Sequence, residues 1–155
     1  MQRFSQVARN NTVSPLLLTH AFHSTIFVSE VRAAGRLEMK TGTDVVENQR
    51  FFHAIKRNNN RLRHRLFTQA ELALDPDEFD MALMFSAKES VAKALGTGFD
   101  SLLSWHDIEI LINGNSMKAI LSGRALELAG NRTVHISTAQ QDSTSFTFTL
   151  LAERE

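Results

Sequence analysis

The 155-residue sequence predicts a mixed α/β (α+β) domain in which a mainly antiparallel sheet packs on one long helix. Three observations carry that prediction. Leu83, Ala87, Val91 and Leu95 recur every four residues and stop at Gly96, the pattern of a packed helix with a glycine cap. Ile108, Ile110 and Ile112 then alternate with Asp107, Glu109 and Leu111 and run into Asn113-Gly114, a strong hairpin signal. Near the end of the chain, Phe146, Phe148 and Leu150 share one strand face while Thr147 and Thr149 share the other.

Each element follows from local chemistry. Residues 1–15 are polar and read as a tail ending at Ser14-Pro15. Residues 16–39 admit a helix, or a strand through Thr25 to Val31, and the Thr and Val content favours the strand. Met39 to Val46 reads as a strand with acids at its end, followed by a helix from about Asn48 to Lys56 striped by Phe51, Phe52 and Ile55. Asn58-Asn59-Asn60 punctuates it, and Leu62 and Leu66 mark a second helical turn. Asp75-Pro76 starts the long helix, with proline near its first turn, and the helix runs from about Glu78 to Leu95. Met117 to Leu121 returns the hairpin, Ser122 to Leu128 is a short helix ended by Gly130, and strands at Thr133 to Ser137 and Ser145 to Leu151 close the chain. Residues 1–40 are thus expected to be a partly flexible extension and 41–155 the domain.

Composition narrows the function. Seventeen basic and seventeen acidic residues leave no net charge, which argues against a globally basic nucleic-acid binder. The absence of cysteine excludes disulfides, thiolate metal sites and a cysteine nucleophile. Apolar runs fall far short of the ~20 residues a membrane span needs, and the N-terminus does not read as a signal peptide, so a cytoplasmic protein with no membrane partner is expected. His20 and His23 lack a nearby acid or third histidine for a metal site. His53, His64 and His106 read as surface or partner-facing residues, and His135 as a strand residue. The charges are nevertheless segregated. Residues 48–70 carry Arg50, Lys56, Arg57, Arg61, Arg63 and Arg65 without an acid, and 71–80 carry five acids without a base. A solvated face explains such a block; docking of an acidic partner explains its self-repulsion better.

On the long helix, Phe85, Glu89 and Lys93 lie four apart on a face distinct from that of Leu83, Ala87 and Val91. The spacing alone is that of a helix salt bridge worth ~0.2–0.5 kcal/mol. Gly96-Thr97-Gly98 then forms a small turn that backbone or phosphate can approach, a weak signal by itself.

Taken with Gly42-Thr43-Asp44, about forty residues upstream, this helix resembles the 4′-phosphopantetheinyl transferases, whose pattern is Gly-x-Asp and later an aromatic followed by x-x-Lys-Glu-x-x-x-Lys. The likeness covers about residues 41–153 and is closest to the short holo-acyl-carrier-protein synthase branch. Glu47-x-x-Arg50, Leu66-Phe67-Thr68-Gln69-Ala70-Glu71-Leu72 and Leu103-Ser104-Trp105-His106-Asp107-Ile108-Glu109 add to it, and Val46 stands where the longer branch carries another metal acid. The resemblance implies the phosphopantetheinyl transferase fold and transfer of 4′-phosphopantetheine from coenzyme A to a serine of an acyl or peptidyl carrier protein, releasing 3′,5′-ADP. It implies that Asp44 and Glu89 bind Mg²⁺, that Glu89 takes the serine proton directly or through a water, and that Lys93 stabilises the leaving group. Lys88 and Gly96, Thr97 and Gly98 would line the pyrophosphate, with Ser137 a further coenzyme A contact. Arg50, Arg57, Arg61 and Arg65 would dock the carrier, and the active sites would lie between subunits of a homotrimer.

The chain departs from the family pattern in places. Ser116-Met117-Lys118-Ala119 replaces Gly-Lys-Pro, Met84 replaces an arginine, and Ala139 or Gln140 stands where a histidine is usual. The alternative these departures leave open is a catalytically weak relative that binds a carrier protein or a partner subunit.

Overall fold

The computed structural model describes Val31–Arg32 and residues 38–58, 61–99, 102–114 and 116–153. The tail, the helix-or-strand choice before Val31, and His20 and His23 lie outside the described residues. Among the described residues six strands and five helices follow in chain order: β1 (Val31–Arg32), β2 (Glu38–Glu47), α1 (Asn48–Arg57), α2 (Arg61–Leu66), α3 (Gln69–Ala73), α4 (Glu78–Ala94), β3 (Ile108–Asn113), β4 (Ser116–Leu121), α5 (Gly123–Ala129), β5 (Arg132–Gln141) and β6 (Thr144–Glu153). The larger sheet has the order β1-β2-β6-β5, and β3-β4 form a separate hairpin. Every pairing is antiparallel.

The local signals act where they stand. Glu47 ends β2 and caps α1, its carboxylate accepting from Gln49 N at 3.1 Å and Arg50 N at 2.8 Å. Thr68 and Glu71 form a reciprocal capping box that starts α3. α4 begins at Glu78, as the sequence predicts, and its cap is Asp77, which accepts from Asp80 N at 2.8 Å. Pro76 therefore precedes the helix. At the other end Gly96 takes φ +82°, and Gly96 N and Thr97 N donate back to Lys93 O and Ala92 O, a Schellman cap that needs the glycine. Trp105–Asp107 is a single 3₁₀ turn, so the alternating strand starts only at Ile108.

α4 is the centre of the molecule. One side lies on β2 and β6 and the other meets α1 and β3. The helix is buried almost all round, polar Ser86, Lys88, Ser90 and Lys93 included, because it is covered from both sides. The closest approach is to β2. A Cβ added at Gly42 would lie 2.1 Å from Ser90 O and 2.6 Å from Ala94 N. Only glycine lets the strand sit there.

β6 is turned against ordinary expectation. Ser145, Thr147 and Thr149 are fully buried against α4, and Phe146 and Phe148 are exposed on the outer face. Val45, paired with Phe146, is also exposed. Among the described residues no helix is long and apolar enough to cross a membrane.

Gly42→Ala would force a methyl into helix backbone that cannot move aside. It is expected to cost about 3 kcal/mol or more, at the upper end of overpacking effects. Urea unfolding checks this, and a cost under ~1 kcal/mol would refute the contact.

Candidate active site

β2 carries Asp44 two residues beyond Gly42, so the close approach sets that carboxylate beside α4. Lys93 Nζ donates to Asp44 Oδ1 at 2.7 Å and to Thr43 O at 3.0 Å. Both side chains are buried, at 6% and 3% exposure. Lys93 is therefore not the solvent-facing partner of Glu89 that the spacing alone suggests. Burial pushes the Asp44 carboxyl above its usual range, and the Lys93 ammonium opposes that rise.

Glu89, one turn before Lys93 and only partly covered, joins them. Its carboxyl is pushed up to about 7, first by burial and then by the negative charge of Asp44, with Lys93 acting in the opposite sense. Strand acid and helix acid thus feel each other across forty-five residues of sequence. Asp44 Oδ2 is buried and has no hydrogen-bond partner in the protein. An orphaned carboxylate oxygen, on a group whose charge a second carboxylate feels, is a donor set that suits Mg²⁺, which takes one or two carboxylates and fills its shell with phosphate and water. Among the described residues no three His, Asp or Glu side chains gather as a complete protein cage.

The two lysines have different fates. Five residues on a helix turn the side chain through about 140°, so Lys88 points away from Asp44. Its ammonium meets Glu71 Oε2 at 2.8 Å, Leu66 O at 2.8 Å and Trp105 O at 3.0 Å, with no exposure. All three donors are taken inside the protein. The expectation that Lys88 lines a pyrophosphate is corrected: it is a buried structural cation. Glu71, read from the sequence as one of an acidic run, is its buried partner and also accepts from Thr68 N at 2.6 Å and Ile110 N at 2.7 Å. The Thr68-x-x-Glu71 capping signature is the signal that could have separated it from the other acids.

The remaining candidates are spread out. The Gly96–Gly98 turn follows Lys93 directly, and a Cβ on either glycine would meet nothing within 4 Å, so the turn is uncrowded. Ser137 lies exposed on β5 opposite Phe148, on the outer sheet face, whereas Asp44 opposite Thr147 is on the inner one. One chain does not bring Ser137 to Asp44. Arg50, Arg57, Arg61 and Arg65 are exposed on α1 and α2. Lys56 leaves the block by pairing with Glu78 at 2.9 Å. His53, His64, His106 and His135 are exposed, the last in β5. Ser86, Ser90, Asn48 and Thr147, all buried around Asp44 or its neighbours on β2, were not singled out by sequence reasoning.

This architecture and site define an enzyme class. The model of the 4′-phosphopantetheinyl transferase superfamily matches residues 40–150, and the chain belongs to that family. Among curated relatives, the holo-[acyl-carrier-protein] synthase of Chlamydia caviae is 36% identical over 116 residues, spanning 71% of this chain and 95% of the relative. That of Serratia proteamaculans is 37% identical over 109 residues, 64% of this chain and 86% of its own. The crystal structure of holo-[acyl-carrier-protein] synthase from Neisseria meningitidis shares 28% identity and a TM-score of 0.64, covering 74% of this chain and 97% of that one. The coenzyme A complex of the Helicobacter pylori enzyme shares the fold with a TM-score of 0.65 at 23% identity, over 72% and 98% of the two chains. Within its family the chain is of the holo-acyl-carrier-protein synthase type, a transferase that moves phosphopantetheine from coenzyme A to an apo acyl carrier protein.

Glu89 also makes stability depend on pH. Its ordinary value is 4.5 and its folded value about 7, so between those limits the folded protein holds a proton that the unfolded chain has lost. In metal-free protein the contribution is complete below about 4.5 and is lost as pH rises through about 7. Thermal unfolding of the parent should fall across that window relative to Glu89→Gln, which cannot titrate. Parallel profiles would remove Glu89 from this role.

Proposed function

We propose that the transfer depends on Mg²⁺ held by Asp44 and Glu89, with Glu89 as general base and Lys93 as leaving-group cation. The observation that carries this reading is the convergence of Asp44 and Glu89, with the buried oxygen of Asp44 left without a protein partner. When bound, the cation neutralises charge on the pyrophosphate. The carrier serine oxygen bonds to the β-phosphorus, the bond to the 3′,5′-ADP oxygen breaks, and the serine proton passes to Glu89. Lys93 spends two of its three donors on Asp44 and Thr43, and the third serves the leaving phosphate. The uncrowded Gly96–Gly98 turn carries the pyrophosphate past the end of α4.

The exposed arginines of α1 and α2 dock the carrier. Exposed Val45, Phe146 and Phe148 form the face that meets a second copy, which supports a homotrimer. Ser137 lies on that same face and so reaches coenzyme A bound by the neighbouring subunit.

The test is incubation with coenzyme A, Mg²⁺ and a panel of apo acyl and peptidyl carriers, read by the mass gain of phosphopantetheine, with light scattering for the trimer. Glu89→Gln should fall at least 10²–10⁴-fold, the span of a lost general base alone. An active Glu89→Gln would overturn the assignment, and a parent inactive on every carrier would leave the weak-relative reading in its place. Charge reversal at Arg57, Arg61 or Arg65 should raise KM for the carrier and not for coenzyme A. That effect should fade with salt as the ~8 Å screening length shortens, and an unchanged carrier KM at low salt would exclude docking there.

A further inference from the structure

β2 and β6 are in register so that Gly42 faces Thr149 and Asp44 faces Thr147. All four point inward, onto α4. At the first of these rungs the contact is complete: Ser90 Oγ lies 2.9 Å from Gly42 O and 2.8 Å from Thr149 Oγ1, joining helix to both strands. One helical turn back, about 5.4 Å, stands Ser86. One rung along the strands, two residues or about 6.8 Å, stand Asp44 and Thr147. The two repeats nearly match, so Ser86 meets the Asp44–Thr147 rung as Ser90 meets the Gly42–Thr149 rung.

This second rung is not closed. Ser86 Oγ, Thr147 Oγ1 and Asp44 Oδ2 are each buried and each lack a hydrogen-bond partner in the protein. Three elements thus contribute three unmade polar groups at one place, although a buried polar group left unpaired is costly. Ser86 Oγ is already near enough to the carboxylate to favour its charge. The next rung, Val46 with Ser145, is closed again, Ser145 Oγ donating to Asn48 Oδ1 at 2.8 Å.

We propose that Ser86 and Thr147 are positioning residues that orient Asp44 as a metal ligand, their hydroxyls donating to the carboxylate from the side of α4 and β6. A carboxylate oxygen has two lone pairs, so a cation on one leaves the other for a hydroxyl. Such outer hydrogen bonds set the direction and basicity of a ligating carboxylate, and their loss typically weakens metal affinity 10–100-fold. The inference rests on the reading of Asp44 as a ligand.

Mn²⁺ titrated into the full chain with coenzyme A present, read by loss of the free-ion electron paramagnetic resonance signal against coenzyme A alone, tests both. Ser86→Ala and Thr147→Val should bind Mn²⁺ 10–100-fold more weakly, and Thr147→Ser should bind like the parent. Thermal unfolding without metal should be unchanged or raised in Ser86→Ala and Thr147→Val, because an apolar group replaces an unpaired buried hydroxyl. Parental Mn²⁺ affinity in Ser86→Ala and Thr147→Val, with binding lost in Asp44→Asn, would overturn this inference and leave Asp44 a ligand. Weakened binding in all three hydroxyl variants, in step with lowered unfolding temperature, would make the residues packing elements and overturn it too. A parent that binds no Mn²⁺ would remove both readings.

Discussion

The contact between Gly42 and the backbone of α4 is the constraint on which the rest of the site depends. A strand and a helix that both carry side chains at their crossing are kept apart by them, and here one carries none. The strand drops onto Ser90 and Ala94, and the next inward residue, Asp44, is brought within 2.7 Å of Lys93. Burial then acts on what has been assembled. It raises the Asp44 and Glu89 carboxyls, which in water would be fully ionised at neutral pH, and it makes their separate charges felt. The Gly-x-Asp spacing is thus a packing device first and a chemical one as a consequence.

α4 holds two buried lysines whose surroundings differ. Lys88 has a carboxylate and two carbonyls for its three donors, and its partner Glu71 is closed by two backbone N–H groups besides. Such a saturated pair ties α3, the 3₁₀ turn and β3 to the helix, and removing either partner would leave an uncompensated buried charge. Lys93 is held on two sides and keeps one donor. The two buried lysines therefore differ in the number of protein acceptors around them, three for Lys88 and two for Lys93.

The inverted face of β6 belongs to the same design. Hydroxyls inside let the sheet bond to a helix that itself presents Ser86 and Ser90, and the phenylalanines are displaced outward as a result. A sheet that spends its polar face on its own core is left with an apolar face toward solvent, the kind of surface that marks an interaction site.

Periodicity, caps and the Asn113-Gly114 turn are local signals, so β2, α1, α4, β3, β4, α5, β5 and β6 could be read from the sequence in order and type. The sequence by itself also determined the family, because Gly42, Asp44, Glu89 and Lys93 stand at the family's spacing. Tertiary structure decided what periodicity leaves undefined. Alternation says that Phe146 and Phe148 share a face, not that the face is outside. Four-residue spacing says that Glu89 and Lys93 are neighbours, not that Lys93 turns inward to Asp44. Charge patterning groups Glu71 with the acids that follow it, whereas only the packing of α3 on β3 draws it inside to Lys88. In each case the deciding quantity is which surface another part of the chain comes to cover, and a single element does not contain that information.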